Sequence, residues 1–91
     1  MAKIVMYTTA YCPYCLNAER LLLSRGVTEI DKIRVDLQPE LRIEMMEKTG
    51  RRTVPQIYIG DTHVGGYDDL AALDRAGRLD GLLNAGDEKQ T

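Results

Sequence analysis

Two cysteines, and no others, stand three residues apart in this 91-residue sequence, within Cys12-Pro13-Tyr14-Cys15. A bridge between them would close a loop too small to add much chain-entropy stabilisation. Nor do two cysteines make the multi-bridge framework of a small secreted scaffold. A bond here would serve chemistry, and the fold has to be held by an apolar core instead. With 44% apolar residues the chain can build one for a single small domain. It has five Tyr and neither Trp nor Phe, so that core has to be largely aliphatic.

The cysteines fall between a strand pattern and a helix pattern. Lys3–Thr8 (KIVMYT) is a β-rich run expected as a buried strand, and Thr9–Tyr11 is a polar loop. Pro13–Arg25 is helix-friendly with proline in its first turn, and Gly26 is its stop. Cys15, Ala18, Leu21 and Leu22 share one broad face and Leu16 and Leu23 lie on the other, which predicts cover on more than one side. Asp31–Asp36 is expected as a second strand, with Ile33 and Val35 on one face. Pro39–Thr49 forms a second helix ended by Gly50, with Leu41, Met45 and Met46 inward. Gln56–Ile59 and Thr62–Val64 read as a hairpin about Gly60-Asp61. A third helix over Asp68–Ala76 turns Leu70, Leu73 and Ala76 inward, and Leu79, Leu82 and Leu83 make a last short turn. The order is β-α-β-α-β-β-α. It describes an α/β domain over residues 1–83, a central four-stranded mixed sheet flanked by helices, with a frayed polar tail at 84–91. The strand-helix-strand start implies a right-handed parallel crossover, and the hairpin must be antiparallel.

Charge removes several function classes. The net charge is −2 and no basic run exceeds Arg51-Arg52, so no nucleic-acid footprint is present. Nothing reads as a surface for anionic membranes, and no segment approaches the roughly 18 apolar residues of a spanning helix. The apolar run near the N-terminus is too short for a signal peptide. A soluble, cytoplasmic, monomeric protein is expected. A structural zinc site needs four ligands; there is no second cysteine pair and His63 is the only histidine, so no metal is expected. His63 itself is expected at the surface.

Chemistry concentrates in three segments. Cys12 precedes the helix that Pro13 opens, where free N–H groups and the positive end of the macrodipole favour a thiolate. Cys12 is therefore the expected nucleophile. Cys15, one turn further in, should stay a thiol until it resolves a mixed disulfide. A C-x-x-C between the first strand and first helix reads as a thioredoxin-like redox site. In Thr53-Val54-Pro55, a cis Val54–Pro55 bond would turn the Val54 N–H and C=O toward Cys12, ready to pair with an extended peptide. An ordinary trans proline at a strand start is the alternative. In Gly65-Gly66-Tyr67-Asp68-Asp69, glycines let a ligand approach, helix amides can hold a carboxylate, and Asp68 or Asp69 can accept an ammonium. Together these fit an amino-acid head group such as the γ-glutamyl end of glutathione. Asp68 as a plain N-cap and the glycines as a plain turn are compatible with that role. Arg51 or Arg52 can pair with a second carboxylate, or both are solvated.

Taken together, Cys12-Pro13-Tyr14-Cys15, Thr53-Val54-Pro55 and Gly65-Gly66-Tyr67-Asp68-Asp69 closely resemble the glutaredoxin family, in particular its short bacterial dithiol members, over residues 3 to about 83. The resemblance implies a thioredoxin-like fold and a glutathione-dependent thiol–disulfide oxidoreductase, with Cys12 attacking and Cys15 resolving. It implies a glutathione groove lined by Tyr14, Thr53, Val54, Pro55, Tyr67 and Asp68, with Arg52, Gly66 and Asp69 as further contacts. Glutathione and disulfide-containing or glutathionylated proteins are the implied partners. Thr9 stands where many members carry a lysine for the glycine carboxylate of glutathione, a contact that Arg51 or Arg52 would have to supply. Tyr67 stands where many carry a third cysteine. The rival expectations are a redoxin recycled by thioredoxin reductase and a module sharing an iron–sulfur cluster across a dimer.

Overall fold

Ile4–Thr8 consists of apolar, aromatic and β-branched residues, the composition that suits a strand covered on both faces. In the computed structural model, which describes residues 2–89 and side chains to residue 84, it is β1, an inner strand of a four-stranded sheet. Its successive residues face opposite layers, because side chains alternate along a strand. Ile4 and Met6 enter one core with Ile57 and Ile59, while Tyr7 enters another with Val35 and Tyr58.

The chain then forms α1 (Pro13–Ser24), β2 (Asp31–Arg34), α2 (Pro39–Thr49), β3 (Gln56–Ile59), β4 (Thr62–Gly65), α3 (Tyr67–Arg75) and α4 (Leu79–Lys89). The sheet order is β2-β1-β3-β4, with β1 parallel to β2 and antiparallel to β3, and β3 antiparallel to β4. Ala18 and Leu22 of α1, Leu70 of α3, and Leu79 and Leu83 of α4 pack on the Ile4–Met6 face. Met45 of α2 packs on the Tyr7 face. The result is the expected mixed sheet between helices, a thioredoxin-like arrangement.

The differences from expectation have local causes. β1 begins at Ile4 rather than Lys3. β2 stops at Arg34 because the Leu37 N–H bonds back to the Arg34 carbonyl and turns the chain. α1 ends at Ser24, with Gly26 in the left-handed region at φ +93°. It is covered on one side only: Cys15, Ala18 and Leu22 are buried, but Leu16 and Leu23 stay 54% and 49% exposed. Among the described residues α2 is the one helix packed on the far side of the sheet, and none of them covers that flank of α1. β4 runs one residue further than expected, to Gly65. α3 starts at Tyr67 with Gly66 as its N-cap, so Asp68 is not the cap. The last leucines do not stop at a turn. They open α4, a fourth helix running to Lys89, so the boundary expected at residue 83 falls inside a helix. Leu79 and Leu83 anchor it, each only 1% exposed, and the polar residues after them contain no proline to end it. Residues 90–91 of the expected tail lie outside the described residues.

Candidate active site

Cys12 is itself the N-cap of α1, in extended conformation at φ −131° and ψ 103°, and Pro13 occupies the first helical position. Its Sγ accepts the Cys15 N–H at 3.2 Å, and its carbonyl accepts the Leu16 N–H at 3.1 Å. The sulfur therefore takes the place that a serine or aspartate oxygen takes at an ordinary N-cap. Negative charge on it is favoured by that amide and by the helix end. Cys15, only 4% exposed, is pushed up to about 11, first by burial and next by the Cys12 sulfur. Both cysteines are free thiols. The backbone before them is tethered: the Ala10 N–H donates to Asp36 Oδ2 at 3.3 Å, and Arg34 grips Asp36 through two bonds of 2.7 Å. Arg34 holds the Asp36 carboxyl down at about 2.

The second segment meets the first at the sulfur. Val54–Pro55 is a cis peptide, as expected. The Val54 carbonyl oxygen lies 3.8 Å from Cys12 Sγ, which donates to it when protonated. Pro55 is buried, Val54 half-buried and Thr53 exposed, so the segment presents Thr53 and Val54 beside the thiol.

Glycine brings the third segment against the second. A Cβ at Gly66 would sit 3.5 Å from the Pro55 carbonyl oxygen. Gly65 has φ +111°, and a Cβ there would collide with the Asp69 carboxylate and come within 3.0 Å of Arg51 Nη1. Asp69 Oδ2 accepts the Gly66 N–H at 2.9 Å and Arg51 Nη1 at 2.8 Å. Arg51 first and the Gly66 amide second hold its carboxyl below the usual range. Asp69 is thus engaged in shaping the loop, whereas Asp68 is exposed at the start of α3. Tyr67 packs half-buried against the main core rather than standing free, and Tyr14 is 60% exposed in the first turn of α1. Of the two arginines, Arg51 is committed to Asp69. Arg52 is exposed, and the one bond at that residue is from Arg42 to its carbonyl at 3.1 Å, among the described residues.

Two residues with no expected role lie under this cluster. Gln56 is fully buried, and its Nε2 donates to the Thr53 carbonyl at 2.9 Å. Its Oε1 faces His63 Nε2 at 2.8 Å. The expectation of a surface His63 is corrected here: the ring is half-buried, with its centroid 5.1 Å from that of Tyr58. Burial, and then Arg51, lower its pKa, with Asp69 opposing. A glutamine opening an otherwise apolar strand, Gln-Ile-Tyr-Ile, was the one available signal. A cleft of about 850 Å³, lined by Lys3, Glu19, Leu23 and Asp31 among others, contains neither cysteine. Four charged residues of its lining are paired with one another, Lys32 with Glu19 and Lys3 with Asp31.

Comparison with known proteins gives a consistent result. The family model for glutaredoxin matches residues 4–64. A glutaredoxin of Pseudomonas aeruginosa is 58% identical over 85 residues, covering 93% of this chain and 100% of that one. The solution structure of glutaredoxin from Brucella melitensis matches with a TM-score of 0.82 at 50% identity, covering 94% of this chain and 92% of the other. A crystal structure of a buckwheat glutaredoxin–glutathione complex matches with a TM-score of 0.83 at 29% identity, over 91% of this chain and 77% of that one.

Proposed function

The chain belongs to the glutaredoxin family and is a thiol–disulfide oxidoreductase; from that premise we propose that it draws its electrons from glutathione and works by two routes. In the first, the Cys12 thiolate attacks the glutathione sulfur of a protein–glutathione mixed disulfide. A Cys12–glutathione disulfide forms, the protein sulfur leaves as thiolate, and that thiolate takes a proton from solvent. A second glutathione thiolate attacks the bound glutathione sulfur, releasing glutathione disulfide and Cys12. In the second route, Cys12 attacks a protein disulfide. Cys15 loses its proton and attacks Cys12 Sγ, expelling the reduced protein and leaving a Cys12–Cys15 bond that two glutathiones reduce. Glutaredoxin potentials near −200 to −230 mV suit glutathione as the donor.

The single observation that carries this reading is that Cys12 Sγ, capped by the Cys15 amide, faces the Val54 carbonyl while Gly66 lies over Pro55. An extended tripeptide joined to Cys12 fits that arrangement by pairing with Val54 as an added strand. Its γ-glutamyl carboxylate suits the first amides of α3, and its ammonium suits the exposed Asp68. Asp69 supports the loop instead of reaching the ligand. With Arg51 engaged, Arg52 is the cation left for the glycine carboxylate in place of the lysine that Thr9 replaces. Thr53 and Tyr14 flank the same path.

A glutathione-coupled assay on wild type, Cys12→Ser and Cys15→Ser tests the scheme. Cys12→Ser is expected to abolish both routes. Cys15→Ser is expected to lose protein-disulfide reduction and keep deglutathionylation. Equal loss of both in Cys15→Ser, or regeneration by thioredoxin reductase and not by glutathione, would overturn it.

A further inference from the structure

We propose that Gln56 and His63 are positioning residues that fix the Thr53–Val54 segment for the glutathionyl part of the substrate; the idea rests on the glutathione role proposed above. Gln56 is 0% exposed, so each of its amide groups must find a partner inside the protein. The Thr53 carbonyl can only accept, so the amide nitrogen must face it, and it does so at 2.9 Å. The same nitrogen lies 3.4 Å from Thr53 Oγ1. Gln56 Oε1 is then left pointing at His63, 2.8 Å away, and His63 must carry its proton on Nε2. The neutral Nε2–H tautomer and the imidazolium both satisfy that requirement, so the bridge does not depend on titration of the ring.

The histidine is held in turn. Tyr58 lies beside its ring, and Arg51 and Asp69 are the charged groups facing it. The β3–β4 register shifts between Ile57, which pairs with Gly65, and Tyr58, which pairs with His63, leaving Val64 as an extra residue. Such bulges re-aim side chains beside functional sites. A chain of two hydrogen bonds therefore runs from β4 through a buried amide to Thr53. The next residue, Val54, offers its carbonyl to Cys12. Among the hydrogen bonds of the described residues, neither Gln56 nor His63 bonds the sulfur. Their effect is to remove freedom from backbone that the tripeptide must pair with, which strengthens binding by pre-organisation.

The deciding experiment separates the tripeptide from the chemistry. One fluorescent peptide is prepared as two mixed disulfides, with glutathione and with cysteamine, which lacks the tripeptide. Release of the peptide thiol is followed in single turnover with excess reduced enzyme. Gln56→Leu and His63→Leu are expected to raise the half-saturating concentration for the glutathionyl peptide by roughly 3- to 10-fold, the scale of one buried hydrogen bond. The plateau rate, and the rate with the cysteaminyl peptide, should stay within about 2-fold. His63→Gln, whose amide can donate to Gln56 Oε1, should restore most of the loss. Equal losses on both peptides, or no loss on either, would overturn the positioning role. Should Gln56→Leu not fold, His63→Leu against His63→Gln decides alone. A wild-type enzyme with no preference for the glutathionyl peptide would overturn the glutathione role itself, a distinct result.

Discussion

One helix start gives two identical thiols opposite tasks. Cys12 Sγ is the cap atom and receives an amide hydrogen; Cys15 lies a turn deeper, where burial raises its pKa from 9.0 to about 11. At neutral pH Cys15 therefore holds its proton, releasing it only when Cys12 has become a disulfide to attack. Iodoacetamide at pH 7 is expected to label Cys12 alone in the reduced protein, with Cys15 labelled only as the pH approaches 11; fragment mass spectrometry reads the site. Labelling of both at pH 7 would contradict the assignment. The same shift fixes a stability trend. Between about 9 and 11 the native state keeps a proton that the unfolded chain has released, so the reduced protein loses stability as pH rises through that window. Cys15→Ser should flatten that part of the urea-midpoint profile. Both cysteines were legible in the sequence because spacing and a following proline are local facts. Gln56 and His63 were not, since their partnership spans seven residues across a hairpin and depends on a bulge that no pattern of residue types announces.

Among the elements, the β4–α3 junction shows why glycine is required at a particular place. Gly65 combines φ +111° with a direct clash for any Cβ against the Asp69 carboxylate and a tight 3.0 Å approach to Arg51 Nη1, while Gly50 at φ +73° has nothing within 4 Å. Gly50→Ala is expected to cost about 1 kcal/mol from backbone strain alone. Gly65→Ala should cost about 2–4 kcal/mol, because it also separates Arg51 from Asp69, and it should raise the KM for glutathione where Gly50→Ala leaves it unchanged. Urea denaturation and steady-state kinetics check both, and equal costs would show that the Arg51–Asp69 bridge does not tie the two loops. Element boundaries were readable where punctuation is strong: α2 lies between Pro39 and Gly50, and β3 between Pro55 and Gly60. They were not where tertiary cover decides. The wheel of α1 shows that Leu16 and Leu23 are apolar, but not that no neighbour reaches them. α4 outruns its leucines because helical hydrogen bonds need no apolar face.

Across the whole molecule, strand direction gathers the site. β1 and β2 are parallel, β3 is antiparallel to β1, and β4 is antiparallel to β3. The ends of β1, β2 and β4 and the start of β3 therefore lie at the same end of the sheet. Cys12, Asp36, Gly66 and Val54 follow from those four points, so three segments distant in sequence meet around one sulfur. The same sheet divides the interior of the described residues into two cores that share β1 and β3. Leu83 of α4 is 1% exposed in one, and Met45 of α2 is 0% exposed in the other. Replacing either by alanine is expected to cost about 2–4 kcal/mol through lost burial and a residual cavity. They lie on opposite faces without a shared cluster, so the double variant should show the sum within about 0.5 kcal/mol. Both cores hang on the same two strands, so unfolding should remain a single transition, with far-ultraviolet circular dichroism and tyrosine fluorescence coinciding in urea. Two separate transitions in either variant would mean that α2 with its core can melt while the α1–α3–α4 side stays folded, and that the sheet does not couple the two faces.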